Sequence, residues 1–278
     1  MTTISIILST YNGAKYISRA IESILDQSFA DWELIIICDD SGDKTESIVR
    51  EYTKKDPRII FLRNETNFGL TKSLNKGLKK AQGEYIAHID DDDEWIDKDK
   101  LKKQVEFLEK NKEYVLVGAG AIVVNENKKE LIRWDLPRED CTIRNKILVR
   151  DYFIHSSVVF RKDIVLKLGG YDENLQNAED WDLWLKLGLR GKFYNFPEYM
   201  INYMIREGNA TSRNRIELLT TDIHLIKKYK KYYPRYFQSI LLAFIRLFIF
   251  SILVKFNFFK NDSVVIFKSK LKKLFNYK

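Results

Sequence analysis

The chain has 278 residues, of which 45% are hydrophobic and 31% charged, so it is too apolar to be disordered and long enough for one large domain or two small ones. Its net charge of +8 is unevenly placed, because residues 224–278 hold 13 Lys and Arg against one acid while residues 1–223 sum to −4. Two cysteines, Cys38 and Cys141, are too few for a disulfide framework, and neither lies in a Cys-x-x-Cys motif, so reduced thiols in a cytosolic protein are expected.

The first hundred residues alternate between apolar strands and amphipathic helices. Strands are predicted at residues 4–8, 34–38, 59–62 and 85–89, with helices between them at residues 14–27, 45–53 and 70–81. Such alternation predicts βαβ units and a parallel sheet that is covered on both faces. The loops that follow the strands then meet at one edge of the sheet, where open α/β sheets bind ligands.

The next hundred residues are less regular. Strands are predicted near residues 115–124, 131–134 and 157–160, and a helix at residues 179–189. From about residue 213 onward the pattern is helical, with breaks near Pro234 and Asn261. The predicted fold class is therefore α/β, a Rossmann-like and mostly parallel sheet flanked by helices, with a C-terminal helical tail.

Four consecutive carboxylates, Asp90 to Asp93, follow the strand that ends at residue 89. Carboxylates one residue apart at a strand end can bind a hard divalent cation, which takes its other ligands from water and substrate phosphates. The alternative is a solvated turn that caps the helix beginning near Asp97. We favour the cation, because four adjacent carboxylates repel one another.

Two further acidic positions have both a functional and a local structural interpretation. Asp39 ends the second strand and could accept hydrogen bonds from a base or a ribose, although Asp, Ser and Gly at residues 39–43 are also ordinary turn formers. Glu179 and Asp180 begin a helix, where acids complement the helix dipole. A carboxylate there could instead act as a general base for a substrate hydroxyl, and the spacing leaves both interpretations open.

Several other chemistries lack their motifs. The chain has no G-x-G-x-x-G motif and no Walker lysine, which argues against NAD and P-loop chemistry. It has no G-x-S-x-G nucleophile elbow, so a hydrolase is not expected. Its three histidines are not spaced as metal ligands, so a zinc site is not expected either.

A series of motifs runs in order along the first three quarters of the chain. They are TISIILSTYN at residues 3–12, AIESILDQ at 20–27, ELIIICDD at 33–40, NFGL at 67–70, DDDDEW at 90–95, SSVVFR at 156–161, GGYD at 169–172 and EDWDLW at 179–184. In order and spacing they resemble glycosyltransferase family 2, over about residues 3–212. The resemblance implies a GT-A domain at residues 1–212, with a nucleotide-binding half at about 1–111 and an acceptor half at about 112–212.

The family resemblance also implies an activity. It is metal-dependent transfer of a sugar, with inversion, from a nucleotide-diphosphate donor to a hydroxyl of a glycan or lipid-linked glycan in bacterial-type surface polysaccharide synthesis, with a UDP-sugar as the expected donor. Asp90 and Asp92 would bind Mg²⁺ or Mn²⁺, and Asp180 would be the catalytic base with Glu179 beside it. The nucleotide contacts implied are Thr10, Tyr11, Asp39, Asp91 and Arg206. Arg206 stands where many members carry His, and an Arg can neutralise a leaving phosphate bidentately.

The tail at residues 213–278 lies beyond the resemblance and is basic and amphipathic. In residues 264–275 the apolar side chains share one helical face and lysines occupy the rest, a pattern typical of a helix at an anionic lipid surface. The segment before it, residues 239–256, is apolar almost all round except for a narrow polar stripe that includes Ser239 and Arg246. The alternative is a helix pair that packs on the catalytic domain or on a second copy in a homodimer.

These features predict a cytoplasmic protein at the inner face of the membrane. The apolar run at residues 4–8 is too short for a signal peptide, and Arg246 interrupts the apolar stretch near residues 236–254, where a span needs about 20 residues. No nucleic-acid partner is expected, because no binding motif accompanies the basic charge. Two rival functions are a sugar-nucleotide pyrophosphorylase, which would need a Gly-rich first loop, and a non-catalytic membrane scaffold.

Overall fold

The computed structural model describes residues 2–175, 177–206 and 215–255. In these residues nine strands form one mixed sheet. The strands are β1 (Ile4–Thr10), β2 (Trp32–Asp39), β3 (Ile59–Asn64), β4 (Tyr85–His88), β5 (Glu94–Trp95), β6 (Tyr114–Asn125), β7 (Glu130–Trp134), β8 (Val159–Arg161) and β9 (Lys192–Ile205). The helices are α1 (Ile17–Leu25), α2 (Thr45–Lys55), α3 (Leu70–Lys80), α4 (Lys100–Lys110), α5 (Asp140–Lys146), α6 (Lys162–Lys167), α7 (Glu179–Leu187), α8 (Arg215–Tyr229) and α9 (Tyr236–Lys255).

The strand order confirms the predicted α/β class. It is β3-β2-β1-β4-β8-β6-β9-β5, with β7 paired to β6 outside this path. The first four strands are parallel, β8 runs antiparallel to both β4 and β6, and β9 is parallel to β6. The carboxyl ends of β1, β2 and β4 therefore share one edge of the sheet. The loops that follow these three strands lie at that edge, and the loop after β4 contains the four consecutive aspartates.

Helix α1 begins three residues later than the sequence pattern predicts. Residues 13–16 form a turn in which Gly13 O accepts the N–H groups of Tyr16 and Ile17, at 2.9 and 3.0 Å. Asn12 before it has a positive φ of 54°, so the chain changes direction there before the helix can start. The loop after β1 is consequently longer and reaches further over the sheet edge.

The sheet is covered on both faces, as continuous apolar strands predict. On one face Ile7, Ile35 and Ile37 pack with α3, α5 and α7. On the other face Ile6 and Ile36 pack with α1 and α4. Successive strand residues thus enter opposite cores, which is why apolar residues do not alternate with polar ones in β1 and β2.

Helices α8 and α9 pack against the domain through polar and apolar contacts. The fully buried Asp182 accepts hydrogen bonds from Lys228 Nζ at 2.8 Å and Tyr229 Oη at 2.9 Å. Tyr233 Oη donates to Leu185 O at 2.7 Å, and Ile226 joins the core cluster that contains Trp184. Helix α9 joins the same cluster through Ala243. The domain boundary at residue 212 and the pairing of α9 with a helix at residues 264–275 stay predictions.

The predicted amphipathic helix at residues 264–275 lies outside the described residues. Within residues 2–175, 177–206 and 215–255, no helix is both long enough and apolar enough to cross a bilayer.

Candidate active site

Hydrogen bonds join the loops that follow β1, β2 and β4. Thr10 Oγ1 donates to Asp91 Oδ2 at 2.6 Å, which fixes the end of β1 to the acidic turn. Asn12 Oδ1 accepts Gly42 N at 2.8 Å, and Asn12 N donates to Ser41 Oγ at 3.0 Å. Thr10 and Asp91, both predicted as nucleotide contacts, therefore contact each other as well.

Gly13 permits this close approach. A Cβ atom at Gly13 would overlap Asp91 Oδ2 and Thr10 Oγ1, so a larger residue would push the acidic turn away from the first loop. The sequence analysis did not identify Gly13 as part of the site. Its signal was a glycine directly after a polar loop at a strand end, which is a common and weak pattern.

The four acidic residues of the turn have different electrostatic environments. Burial alone would raise the pKa of Asp90, but the hydrogen bond from His88 Nε2 to Asp90 Oδ1, 2.9 Å long, and the nearby histidine charges lower it to about 2. Burial and repulsion from Asp92 raise the pKa of Asp91 to about 7. Burial and the charge of Asp90 also raise the pKa of Asp92.

Asp93 has a structural role in this turn. Its Oδ1 accepts Met204 N at 2.8 Å, which fastens the turn to the end of β9. Burial, with repulsion from Asp90 and Asp92, raises the pKa of Asp93 well above its usual range. This contact brings the last residues of β9 to the acidic turn.

Arg206 follows β9 directly and reaches the same turn. Its Nε donates to Asp92 Oδ2 at 2.6 Å, and its Nη2 lies 3.7 Å from Asp91 Oδ1. The guanidinium also lies over the ring of Tyr16, 4.8 Å from its centroid. Arg206 thus faces two of the carboxylates that the sequence analysis assigned to donor binding.

The donor set of this turn fits a hard divalent cation. Asp90, Asp91 and Asp92 present carboxylate oxygens, and in the part of the chain that the structure describes Arg206 faces Asp91 and Asp92 while His88 pairs with Asp90. Burial, with repulsion between neighbouring carboxylates, raises the pKa of Asp91 and of Asp92, and a cation bound here would relieve that repulsion. Asp90 and Asp92 therefore suit the predicted metal site.

Two histidines that are far apart in the sequence meet behind the turn. The rings of His88 and His155 stack with their centroids 3.6 Å apart and their planes 20° from parallel, and His155 Nε2 hydrogen-bonds Tyr171 Oη at 2.9 Å. His88, Asp90 and His155 place one possible ligand atom each within 4.8 Å of the others. Because nearly parallel rings direct their lone pairs along separate planes, we assign this pair to packing and hydrogen bonding.

Glu179 and Asp180 begin α7, after Ala178 in a left-handed conformation with φ of 59°. Burial, with repulsion from Asp180, raises the pKa of Glu179 to about 8. Burial and the charge of Asp90 raise the pKa of Asp180, so Asp180 lies within electrostatic reach of the acidic turn. A carboxylate with a raised pKa is a stronger base, which suits proton removal from a hydroxyl.

The charge of Asp180 acts on two further carboxyl groups, in segments that the sequence pattern does not connect with it. Burial and the charge of Asp180 raise the pKa of Asp151 well above its usual range. Burial raises the pKa of Asp222, on α8, to about 6, with the charge of Arg246 opposing and that of Asp180 adding to the shift. The sequence analysis missed Asp151 and Asp222, because nothing in their local spacing marks them.

Asp39 is buried at the end of β2 and orders the loop before α3. Its Oδ1 accepts Asn64 Nδ2 at 2.7 Å and Phe68 N at 2.9 Å, and its Oδ2 accepts Gly69 N at 2.8 Å. Tyr11 and Phe68 expose about half of their surface, 52% and 51%. The structure brings Thr10, Asp91, Asp92 and Arg206 into contact, while the contacts of Tyr11 and Asp39 with a nucleotide stay predictions.

Comparisons with known proteins agree on one family. Residues 5–169 match the family described as Glycosyl transferase family 2. The uncharacterized glycosyltransferase MJ1057 of Methanocaldococcus jannaschii is 34% identical over 206 residues, which are 73% of this chain and 70% of that protein. The O-antigen biosynthesis glycosyltransferase WbnJ of Escherichia coli is 33% identical over 210 residues, which are 73% of this chain and 79% of that protein.

Two solved structures share the fold. TarS 1-349 of S. aureus in complex with UDP-GlcNAc superposes with a TM-score of 0.68 at 22% identity, over 87% of this chain and 70% of that one. The mannosyltransferase PcManGT of Pyrobaculum calidifontis, in complex with GDP-Man and Mn²⁺, superposes with a TM-score of 0.66 at 18% identity, over 99% of this chain and 81% of that one.

Proposed function

The chain belongs to glycosyl transferase family 2, and we propose that it transfers a sugar with inversion from a UDP-sugar to a hydroxyl group of a glycan or lipid-linked glycan, using a divalent metal ion. One observation carries this proposal: Arg206 pairs with the acidic turn that follows the parallel strand β4, and the charge of Asp90 in that turn acts on Asp180. The solved complexes with UDP-GlcNAc and with GDP-Man and Mn²⁺ support it by showing such donors on the same fold.

The donor side consists of the acidic turn and the two loops tied to it. Asp90 and Asp92 would hold Mg²⁺ or Mn²⁺, which when bound supplies positive charge against the donor diphosphate. Arg206 would contribute a guanidinium to the same diphosphate, in competition with its ion pair to Asp92. Thr10, Tyr11, Asp39 and Asp91 would contact the nucleoside.

The acceptor side is centred on Asp180. In the proposed single displacement, the carboxylate of Asp180 accepts the proton of the acceptor hydroxyl while the oxygen of that hydroxyl bonds to the anomeric carbon of the donor sugar. The bond from that carbon to the diphosphate breaks on the opposite face, and the electron pair leaves with the diphosphate. The raised pKa of Asp180 strengthens it as the proton acceptor, and Glu179 beside it adds a second hydrogen-bonding group for the acceptor.

The biological setting is proposed from a relative and from charge. WbnJ is described as an enzyme of O-antigen biosynthesis, which supports a role in bacterial-type surface polysaccharide synthesis. The basic C-terminal region supports peripheral contact with the inner face of the membrane, since Lys and Arg are attracted to anionic lipid. A homodimer remains the alternative use of that region.

A panel of nucleotide sugars tests the proposed function. We expect titration calorimetry to detect binding of one UDP-sugar that requires Mg²⁺ or Mn²⁺, and we expect release of UDP when a glycoside acceptor is added. A protein that binds no nucleotide sugar with either metal would contradict the proposal and favour a non-catalytic scaffold. Family membership argues against the rival hypothesis of a sugar-nucleotide pyrophosphorylase. An assay for release of UTP from UDP-sugar and diphosphate tests that rival directly.

A further inference from the structure

Helix α9 exposes a continuous row of large apolar side chains. Phe237, Leu241, Phe244 and Phe248 are 82%, 60%, 50% and 67% exposed. Their spacing of four, three and four residues places them on one face of the helix. We name these four residues the apolar ridge. Single exposed apolar residues are common on proteins, but a row along one helix face indicates a contact surface.

Two polar side chains of α9, Ser239 and Arg246, lie on the opposite face, against the domain. Ser239 is buried, and its Oγ donates to Arg235 O at 2.9 Å. Arg246 Nη2 donates to Val149 O at 2.9 Å, so its guanidinium is directed toward the protein. The face turned to the domain is also apolar, since Ala243 is buried in the core cluster and Ile240 and Leu247 pack against it. Helix α9 therefore carries apolar side chains on both its inward and its outward face, whereas an ordinary surface helix directs polar residues to water.

The positive charge near the apolar ridge indicates which kind of surface the ridge contacts. Residues 224–261 contain no Asp or Glu, and Lys230, Lys231 and Arg235 are exposed just before the ridge begins. The 23 residues that follow α9 contain six lysines and one acid. Pairing two copies through the ridge would bring two such basic ends together, whereas an anionic surface attracts them. The charge therefore favours an anionic membrane over a second copy.

We propose that α9 lies along an anionic membrane with the apolar ridge inserted between lipid headgroups, which directs the acceptor side of the site toward lipid-linked glycans. The outward aromatic face supplies apolar contact, and the flanking cations supply attraction to acidic headgroups. The inward face of α9 is packed on the domain through Ala243 and Arg246, so its outward face is free to meet a lipid surface.

Contacts and charge effects of Arg246 connect α9 with the residues around Asp180. The carbonyl that Arg246 contacts belongs to Val149, two residues before Asp151, and the charge of Asp180 acts on Asp151. The charges of Arg246 and Asp180 also both act on Asp222 of α8. The inference about the acceptor rests on the proposed function, because it assumes that Asp180 receives the acceptor proton.

Vesicle sedimentation of the full chain tests the membrane contact. The parent should sediment with phosphatidylcholine vesicles that contain phosphatidylglycerol, and more weakly as salt rises. Phe244→Ser/Phe248→Ser should lower the partition coefficient roughly tenfold or more, because two exposed aromatic side chains no longer insert. The matched control is Leu131→Ser/Leu166→Ser, which removes two exposed leucines on β7 and α6 and should sediment as the parent does.

Three outcomes would overturn the membrane contact. The first is a Phe244→Ser/Phe248→Ser variant that sediments as strongly as the parent, and the second is a control that weakens sedimentation equally. The third is a parent that is a dimer on size-exclusion chromatography and becomes a monomer with the ridge substitutions, which would assign the ridge to a second copy.

A paired acceptor assay tests the substrate class. Methyl glycosides in solution and hexadecyl glycosides of the same sugars in anionic vesicles would be compared as acceptors. The Phe244→Ser/Phe248→Ser variant should keep the parent's rate with the methyl glycoside and lose most of that rate with the hexadecyl glycoside. Equal loss with both, or with neither, would contradict a membrane-presented acceptor. If parent and variant transfer no sugar to any acceptor, the proposed function fails, while sedimentation still reports on the ridge independently.

Discussion

Arg206 Nε lies 2.6 Å from Asp92 Oδ2, which joins the residue after β9 to the acidic turn across 114 positions of the sequence. The same guanidinium is 3.7 Å from Asp91 Oδ1. Charge-assisted hydrogen bonds of this length are among the stronger polar contacts in proteins. A donor diphosphate that enters this edge would exchange one carboxylate partner of Arg206 for a phosphate.

Asp92→Asn should abolish transfer and weaken metal-dependent binding of UDP. A neutral amide is a poor ligand for a hard divalent cation, and the substitution also removes the ion pair with Arg206. Titration calorimetry of UDP with and without Mn²⁺ measures the effect. The control is Asp163→Asn, which changes an exposed acid paired with Lys167. Full activity of Asp92→Asn with metal still required would remove Asp92 from the metal site.

Arg206→Gln should lower the transfer rate by roughly tenfold or more, because a charge that stabilises the departing diphosphate is lost. Arg206→Lys should fall between the parent and Arg206→Gln, since lysine keeps the charge and loses the planar fork. Steady-state rates with a saturating UDP-sugar check the order of the three proteins. An unchanged rate in Arg206→Gln would show that the guanidinium serves the acidic turn alone.

The sequence predicts most of the first half of the fold. Strands β1 to β4 are continuous apolar runs because helices cover both faces of the sheet, and this pattern is local enough to recognise. The parallel order then brings Thr10, Asp39 and Asp90 to one edge. Helix α1 begins at Ile17 and not at residue 14, because the turn after Asn12 uses three residues that have a helical pattern.

The remaining features depend on contacts between distant residues. His88 stacks on His155, Gly13 lies against Asp91, and the charge of Asp180 acts on Asp151. No local sequence pattern predicts these pairs, because their members are far apart in the chain. The sequence shows the polar stripe of α9, but hydropathy alone does not indicate which face of the helix packs on the domain. Arg246 decides this in the structure by reaching Val149 O.

Glu179→Gln should reduce the dependence of stability on pH. The pKa of Glu179 is raised to about 8 in the folded protein from an ordinary 4.5, so the folded state holds this proton more tightly than the unfolded state. The resulting stability is complete below about pH 4.5 and is lost as pH rises through about 8, with an upper limit of about 5 kcal/mol.

Urea unfolding at pH 5 and at pH 9 measures this effect. The free energy of unfolding of the parent should fall more between these values than that of Glu179→Gln, and Glu106→Gln on the exposed face of α4 should behave as the parent does. Equal pH dependence in the parent and Glu179→Gln would show that this carboxyl group is not the one that titrates.

Asp182→Ala should lower the free energy of unfolding by about 3 kcal/mol, because it leaves Lys186, Lys228 and the Tyr229 hydroxyl without their buried acceptor. Limited proteolysis should then cleave between α7 and α9 sooner than in the parent. Asp163→Ala, at an exposed position on α6, is the control. Parent-like stability and cleavage would mean that α8 is held by apolar contacts alone.

The central claim is that Asp180 accepts the proton of the acceptor hydroxyl, and Asp180→Asn measured for both donor binding and turnover tests it most directly. We predict that UDP-sugar affinity by calorimetry stays at the parent value with metal present. The transfer rate should fall by about 10²- to 10⁴-fold, because the amide cannot accept the proton. Loss of donor affinity in parallel with the rate, or transfer at the parent rate, would contradict the claim.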